Sequence, residues 1–185
     1  LFAAVLRALG YELDLLAGRV LIGATAPRPH THLALRVHLE GEEILSDVGY
    51  GRTALRGPLT FATDVEQTLG TDRFRLVDED GEFLLELLTP DGWEAQYLLD
   101  PRPEYVVDCE MGNHFVATHP ESTMKQRLMV LRPTATGKRS LGGSRLVVDE
   151  ADRQVDRVIT ADEAEAVLRE EFGLVLPAPL PYLER

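Results

Sequence analysis

Thr31-His32-Leu33-Ala34-Leu35-Arg36-Val37, then a turn at Glu40-Gly41-Glu42, then Leu45-Ser46-Asp47-Val48-Gly49-Tyr50-Gly51: these words read as two short strands joined by a hairpin. His32 and Asp47 each stand at the rim of an apolar strand, where the two side chains can meet across the pair. A histidine beside a carboxylate supplies two parts of a nucleophilic triad, the base and the group that fixes its tautomer and steadies its charged form. On spacing alone the pair also fits ordinary uses. A histidine by a strand is more often packed or at the surface, and an aspartate before Gly-x-Gly more often forms a turn.

The same period-two pattern extends outward. Glu12-Leu13-Asp14-Leu15 and Gly18-Arg19-Val20-Leu21-Ile22 read as two strands, with Pro27 and Pro29 breaking the segment that follows into a loop. Segments 71–78, 82–88 and 93–99 read as strands between the hairpin signals Asp80-Gly81 and Asp91-Gly92, with Pro101 and Pro103 at a corner. Several short strands at this spacing predict a barrel or sandwich. Ahead of them, Leu1, Phe2, Val5, Leu6 and Leu9 follow helical spacing up to Gly10, and the expectation is the last turns of a helix whose beginning is absent.

After about residue 112 the pattern changes. Pro120-Glu121-Ser122 opens a short helix, segments 126–132 and 144–149 read as strands, and turns fall at Thr136-Gly137 and Gly142-Gly143. Thr160-Ala161-Asp162-Glu163 is a capping-box pattern. The helix behind it puts Ala164, Val167, Leu168 and Phe172 on one face and stops at Gly173, and Pro177, Pro179 and Pro181 give an extended tail.

Composition narrows the functions. A net charge of −12 argues against a general nucleic-acid binder, although a local basic or amide-lined pocket can still hold a small anion. No apolar run approaches the roughly 20 residues a membrane helix needs, and there is no signal-peptide pattern. Cys109, the one cysteine, cannot form an intrachain disulfide and favours a reducing, cytoplasmic setting. His30-Thr31-His32 carries a His-x-His spacing, but no cysteine or carboxylate cluster completes it, so no metal is expected. His38 is expected to face solvent.

The flanking words sharpen the His32–Asp47 reading. Leu1-Phe2-Ala3-Ala4-Val5-Leu6-Arg7-Ala8-Leu9-Gly10-Tyr11, Leu16-Ala17-Gly18-Arg19-Val20, Thr31-His32-Leu33-Ala34-Leu35 and Ser46-Asp47-Val48-Gly49-Tyr50-Gly51 come first. Asn113-His114-Phe115-Val116-Ala117-Thr118-His119-Pro120 and Leu131-Arg132-Pro133-Thr134 follow, and together, in this order, they resemble the arylamine N-acetyltransferase family. The resemblance spans essentially the whole chain. It implies an α+β fold with cysteine-protease-like triad architecture. Residues 1–10 would be the remnant of a mostly absent helical domain, 11–112 a β-barrel domain, and 113–185 an interdomain segment and an α/β lid domain.

It also implies a bacterial enzyme of xenobiotic metabolism with a ping-pong mechanism. A cysteine takes acetyl from acetyl-CoA and passes it to an arylamine or hydrazine, with His32 and Asp47 as triad members. The family's cysteine word would lie a few residues before Leu1, so the expected chain is a fragment, inactive without it. Cys109 sits where the family has no nucleophile, and its neighbours Asp108 and Glu110 would raise a thiol pKa.

By the same resemblance Gly49, Tyr50, Gly51, Phe115, Thr118 and Met124 line the acyl and CoA sites. Tyr50 stands where relatives usually carry Phe and adds a hydroxyl to the acceptor pocket. Gly49 and Gly51 form a tight turn needing positive φ. Arg52, Lys125 and Arg127 are candidates to offset the CoA phosphates, though surface charge is the commoner use of each. His114 is expected to pack, and His119 to hold a turn. Two rivals stay open: an amide synthase that cyclises polyketide chains on the same fold, and a non-catalytic binding protein.

Overall fold

Apolar residues on both faces of the first strand decide the architecture, because such a strand needs cover on two sides. In the computed structural model, which describes residues 1–51 and 55–177, this strand is β1 (Glu12–Val20), at the centre of an eight-stranded antiparallel sheet. The chain divides into two units, Leu1–Phe115 and Val116–Arg185.

The first unit opens with helix α1 (Phe2–Ala8) and continues through β1, β2 (His32–Leu39), β3 (Glu42–Ser46), β4 (Leu59–Thr60), β5 (Gln67–Leu69), β6 (Asp72–Glu79), β7 (Glu82–Thr89) and β8 (Gly92–Pro103). Helix α2 (Val106–Thr118) follows and runs across the division. The strand order is β4-β3-β2-β1-β8-β7-β6-β5, two meanders laid side by side through β1 and β8. Its outer edges, β4 and β5, are joined by a side chain. Thr60 N–H donates to Gln67 Oε1 at 2.7 Å, and Gln67 Nε2 donates to the Thr60 carbonyl at 2.9 Å. The amide thus does for this seam what a neighbouring strand's peptide does elsewhere, and with a bridge between Thr63 and Leu76 it gives the sheet its barrel character.

One face of the sheet forms the barrel core, with Leu16, Ala34, Leu45, Phe74, Tyr97 and Leu99 among its buried residues. The opposite face of β1 and β2 presents Leu13, Leu15, Leu35 and Val37, covered by Phe2, Ala3 and Leu6 of α1 and by Cys109 of α2. Each fully buried leucine of this kind is worth about 1.5–3 kcal/mol. The predicted hairpins at Glu40-Gly41 and Asp80-Gly81 are present. Both residues of each pair have positive φ (52° and 89°; 54° and 89°), the backbone that matches strand twist in a two-residue turn.

Several expectations change. The two strands predicted within 12–22 are the single strand β1, whose register against β8 shifts between Leu16 and Gly18. Pro101 and Pro103 form no corner but lie inside β8. They are tolerated there because pairing with β7 reaches only Leu99, which leaves the prolines without a ladder partner on that side. Helix α2 carries no apolar stripe: Tyr105, just ahead of it, and Val106, Val107 and Met111 on it are exposed, which is why periodicity did not reveal it.

The second unit is an antiparallel meander, β9 (Met129–Thr134), β10 (Gly137–Gly142), β11 (Arg145–Glu150) and β12 (Arg153–Val158), preceded by the short helix α3 (Thr123–Gln126) and followed by α4 (Ala161–Phe172). Helix and strands do not alternate as in the α/β arrangement expected here. Strands β10 and β12 were not foreseen, because Lys138, Arg139 and Ser140 in one, and Arg153, Gln154, Asp156 and Arg157 in the other, mask the period. Helix α4 is as predicted. Glu163 Oε2 accepts the Thr160 N–H at 2.8 Å, and Ala164, Val167, Leu168 and Phe172 pack with Leu141, Leu146 and Val148. Arg139 ties this sheet to the end of α4 by pairing with Glu150 at 3.0 Å and Glu171 at 3.2 Å. Among the described residues no helix is long and apolar enough to cross a membrane. Arg52, Pro179 and Pro181 lie outside the described residues.

Candidate active site

His32 is the first residue of β2 and pairs across the ladder with Gly18 of β1. It shares the barrel-core face with Ala34, two residues on, because strand side chains alternate. Gly18 makes the room. A β-carbon built there would sit 2.9 Å from Leu99 Cδ2, 3.3 Å from the Leu98 carbonyl oxygen and 3.6 Å from His32 Cδ2. The register shift beside Gly18 brings β8 close, so only the smallest residue leaves the imidazole its place.

Asp47 follows the last residue of β3, which the hairpin register sets opposite Leu35. Its Oδ2 lies 2.7 Å from His32 Nε2. Its Oδ1 accepts the N–H of Gly49 at 2.8 Å and of Tyr50 at 3.2 Å, an Asx turn that fixes the carboxylate in the loop. The side chains are 9% and 0% exposed, so the pair is close to dry. Burial pushes the Asp47 carboxyl pKa up. The hydrogen bond and charge of His32, the Gly49 N–H and the nearby Tyr97 hydroxyl outweigh it, and the net displacement is downward. Asp47 is therefore an acceptor only, so Nε2 must carry the proton between the two side chains. That leaves Nδ1 of neutral His32 with its lone pair free. This tautomer is what a base held by a carboxylate requires.

Two tyrosine rings flank the imidazole, Tyr50 with centroids 5.2 Å apart and Tyr97 with centroids 4.7 Å apart. Tyr50 is buried, and its hydroxyl donates to the Gln96 carbonyl at 2.9 Å. The expected addition of a hydroxyl to an acceptor pocket is thus corrected: that oxygen is tied into the barrel core and clamps the Asp47 turn to β8. Gly49 and Gly51 are corrected as well, since neither has positive φ. A β-carbon at Gly49 would meet Asp47 Oδ1 at an ordinary 3.7 Å, and one at Gly51 would meet nothing within 4 Å.

The remaining candidates lie on the helices. Phe115 is half-buried on α2, Thr118 is exposed at its last residue, and Met124 on α3 is 63% exposed, with Lys125 and Arg127 exposed beside it. His30 precedes β2, in the loop, so the strand geometry expected to align it with His32 does not apply. His38 is exposed as expected and lies 3.3 Å from Asp14. His114, expected to pack, is exposed, and His119 Nδ1 accepts the Glu121 N–H at 3.3 Å. Among the described residues no group of three or more His, Cys, Asp or Glu is placed to hold a metal ion.

Cys109 is excluded as partner by topology. It packs on Leu13, Leu15, Leu35 and Val37, the sheet face opposite the one that carries His32. Its thiol pKa is raised, chiefly by burial and then by Glu104, with Asp108 a smaller cause. Sequence reasoning missed Tyr97 and Gly18. A glycine inside a strand was a usable sign of close backbone approach, whereas nothing in the pattern of 93–99 set Tyr97 apart.

The chain matches the family model described as N-acetyltransferase over residues 1–180. It is 32% identical over 177 residues to the arylamine N-acetyltransferase of Escherichia coli (strain K12), an alignment covering 94% of this chain and 63% of that protein. The fold is similar to the crystal structure of Nocardia farcinica arylamine N-acetyltransferase, at 34% identity and a TM-score of 0.88, covering 100% of this chain and 70% of that one. It is also similar to the Mycobacterium marinum arylamine N-acetyltransferase in complex with CoA, at 29% identity and a TM-score of 0.85, covering 93% and 66%. The chain spans about 63% of the length of the curated arylamine N-acetyltransferases of Escherichia coli and Salmonella typhimurium that it matches.

Proposed function

The chain belongs to the arylamine N-acetyltransferase family, and from that premise we propose that His32 and Asp47 are the base and the orienter of a cysteine-dependent acetyl transfer from acetyl-CoA to an arylamine or hydrazine. The observation that carries the reading is the buried 2.7 Å contact from His32 to an Asp47 already held by two backbone N–H groups. Such a carboxylate cannot turn away from the imidazole, and it favours the charged form of His32 each time a proton arrives on Nδ1.

His32 Nδ1 takes the proton of a thiol, and Asp47 steadies the resulting imidazolium. The thiolate adds to the acetyl carbonyl, and CoA leaves with the proton from His32. The acceptor nitrogen then attacks the thioester and gives its proton to the same Nδ1, which restores the thiolate–imidazolium pair. We place the thiol in the part of the family's length that these 185 residues do not match, since Cys109 faces the other side of the sheet. Phe115, Thr118 and Met124, with the cations Arg52, Lys125 and Arg127, are proposed to meet CoA. The reaction needs no metal. A reducing, cytoplasmic setting keeps such a thiol usable.

The test is an acetyl-CoA and arylamine turnover assay on a protein joining these residues to the part of the family's length that they do not match. His32→Ala and Asp47→Ala should each lower kcat/KM by about 10²–10⁴-fold. Turnover that survives His32→Ala would overturn the assignment. The 185-residue chain alone should show no stable acetyl adduct by mass spectrometry, and stoichiometric, His32-dependent acetylation of Cys109 would move the nucleophile to that residue.

A further inference from the structure

A glycine in the middle of a helix costs stability relative to alanine, and α2 carries one at Gly112. Its neighbours show what it makes room for. A β-carbon at Gly112 would lie 3.0 Å from the His30 carbonyl oxygen and 3.8 Å from Thr31 Cα, so α2 rests directly on the backbone that leads into His32. Three residues earlier on the same helix, Cys109 packs on Leu13, Leu15, Leu35 and Val37. Just ahead of the helix, the Glu104 N–H donates to the Leu15 carbonyl at 2.7 Å. The helix is thus tied to β1 and β2 before it reaches Gly112.

The start of β2 is held more lightly. Its pairing with β3 reaches only Leu35, opposite Ser46, so His32 has a ladder partner on one side, Gly18 of β1. There the Thr31 N–H donates to the Gly18 carbonyl at 3.2 Å, the long end of the range for such a bond. We infer that Gly112 is a positioning residue: its bare α-carbon lets α2 back the 30–31 peptide, and that backing fixes where β2 begins and so where the imidazole meets Asp47. A methyl group at position 112 would press on a carbonyl oxygen, and of the two sides the helix is the better anchored. The 30–31 backbone would give by a few tenths of an ångström. Passed to the next residue, a shift of that size takes His32 off the geometry of its 2.7 Å contact with Asp47.

The inference rests on the reading of His32 as the base, but its test does not require acetyl transfer. In the isotope-labelled 185-residue chain, the Asp47 carboxyl carbon is titrated and the His32 Nε2 proton is followed by NMR, in the wild type, in Gly112→Ala and in Met111→Ala. Met111 is the preceding residue of the helix and is exposed, so its variant reports on the helix alone. Trimethylamine N-oxide in every arm favours the folded state and keeps a weakened variant measurable. In Gly112→Ala the Asp47 midpoint should rise by about half a unit, roughly a threefold fall in its dissociation constant, because the His32 bond is one of the causes that lower it. The Nε2 proton should move upfield, and in Met111→Ala both signals should match the wild type. Gly112→Ala signals that coincide with the wild type, equal shifts in the two variants, or a Gly112→Ala chain that stays unfolded even in the osmolyte would each overturn the proposal. None of these outcomes touches the acetyl-transfer reading, which stands or falls with His32→Ala in the turnover assay.

Discussion

Strand β2 carries two histidine–aspartate contacts on one face, six residues apart, and only one has the makings of a site. At its first residue His32 meets Asp47 at 2.7 Å with side chains 9% and 0% exposed, whereas near its end His38 meets Asp14 at 3.3 Å with side chains 39% and 25% exposed. The carboxylates differ more than the histidines do. Asp14 is already answered by Arg36, which donates from Nε at 3.1 Å and from Nη2 at 2.8 Å, and His38 Nδ1 has a second carboxylate, Glu43, at 3.7 Å. Among the described residues no arginine or lysine pairs with Asp47. Its fixed neighbours are two backbone N–H groups, and His32 is the one basic side chain in hydrogen-bond contact with it among the described residues. A histidine beside an aspartate is common surface chemistry. A dry aspartate anchored by backbone and left one imidazole to hold is a device for orienting a base.

The largest break in that comparison should come from removing the two carboxylates in turn. Asp47→Ala leaves the Gly49 and Tyr50 N–H groups and His32 without their acceptor inside the protein, and should cost about 3 kcal/mol. Asp14→Ala acts on a solvent-screened network and should cost less than about 1 kcal/mol. Urea denaturation of the two variants checks the ratio, and equal losses would erase the distinction drawn between the pairs. Next in size is Gly18→Ala, whose new methyl meets the Leu99 side chain and the Leu98 carbonyl beside the imidazole. It should destabilise by about 1–2 kcal/mol and shift the His32 ring resonances, while leaving those of His38 in place.

The smallest effect is in acid. The folded pKa of Asp47 lies below its unfolded value, so its contribution is complete above the unfolded pKa, near 3.8, and is lost as pH falls through the folded one. The stability gap between the wild type and Asp47→Asn should therefore narrow as pH falls below about 4. A gap that widens below about pH 4 would reverse the sign assigned to Asp47. Asp14 titrates in the same direction, but its network is exposed enough for salt to flatten the corresponding curve.

Much of this was legible in the residues themselves. The words around His32 and Asp47, the Glu40-Gly41 and Asp80-Gly81 turns and the capping box ahead of Ala164 are local devices, and each folds as its chemistry dictates. What could not be read depends on neighbours distant in sequence. Pro101 and Pro103 read as a corner because proline breaks ladders, yet β7 stops pairing with β8 at Leu99 and spares them. Helix α2 left no trace because its apolar residues are exposed instead of forming a stripe. Gly49 and Gly51 suggested positive φ, but the Asx turn of Asp47 shapes that loop without it. Tyr97 sits in an ordinary strand pattern, and only the approach of β8 to β1 brings it to His32.

The seam between β4 and β5 is a different kind of joint from the rest of the barrel. Seven strand pairings are ladders in which a one-residue slip would turn every side chain to the wrong face. At the seam, the Gln67 amide takes the place of a ladder and reaches one residue, Thr60. A contact of that kind imposes no alternation of its own, and the phase across the seam is set instead by backbone at residues 61–64: the Phe61 N–H donates to the Glu43 carbonyl at 2.7 Å, the Asp64 N–H donates to the Leu76 carbonyl at 2.7 Å, and Thr63 bridges Leu76. The barrel thus closes through one side chain and one short stretch of backbone, well away in sequence from the strand end that holds the imidazole.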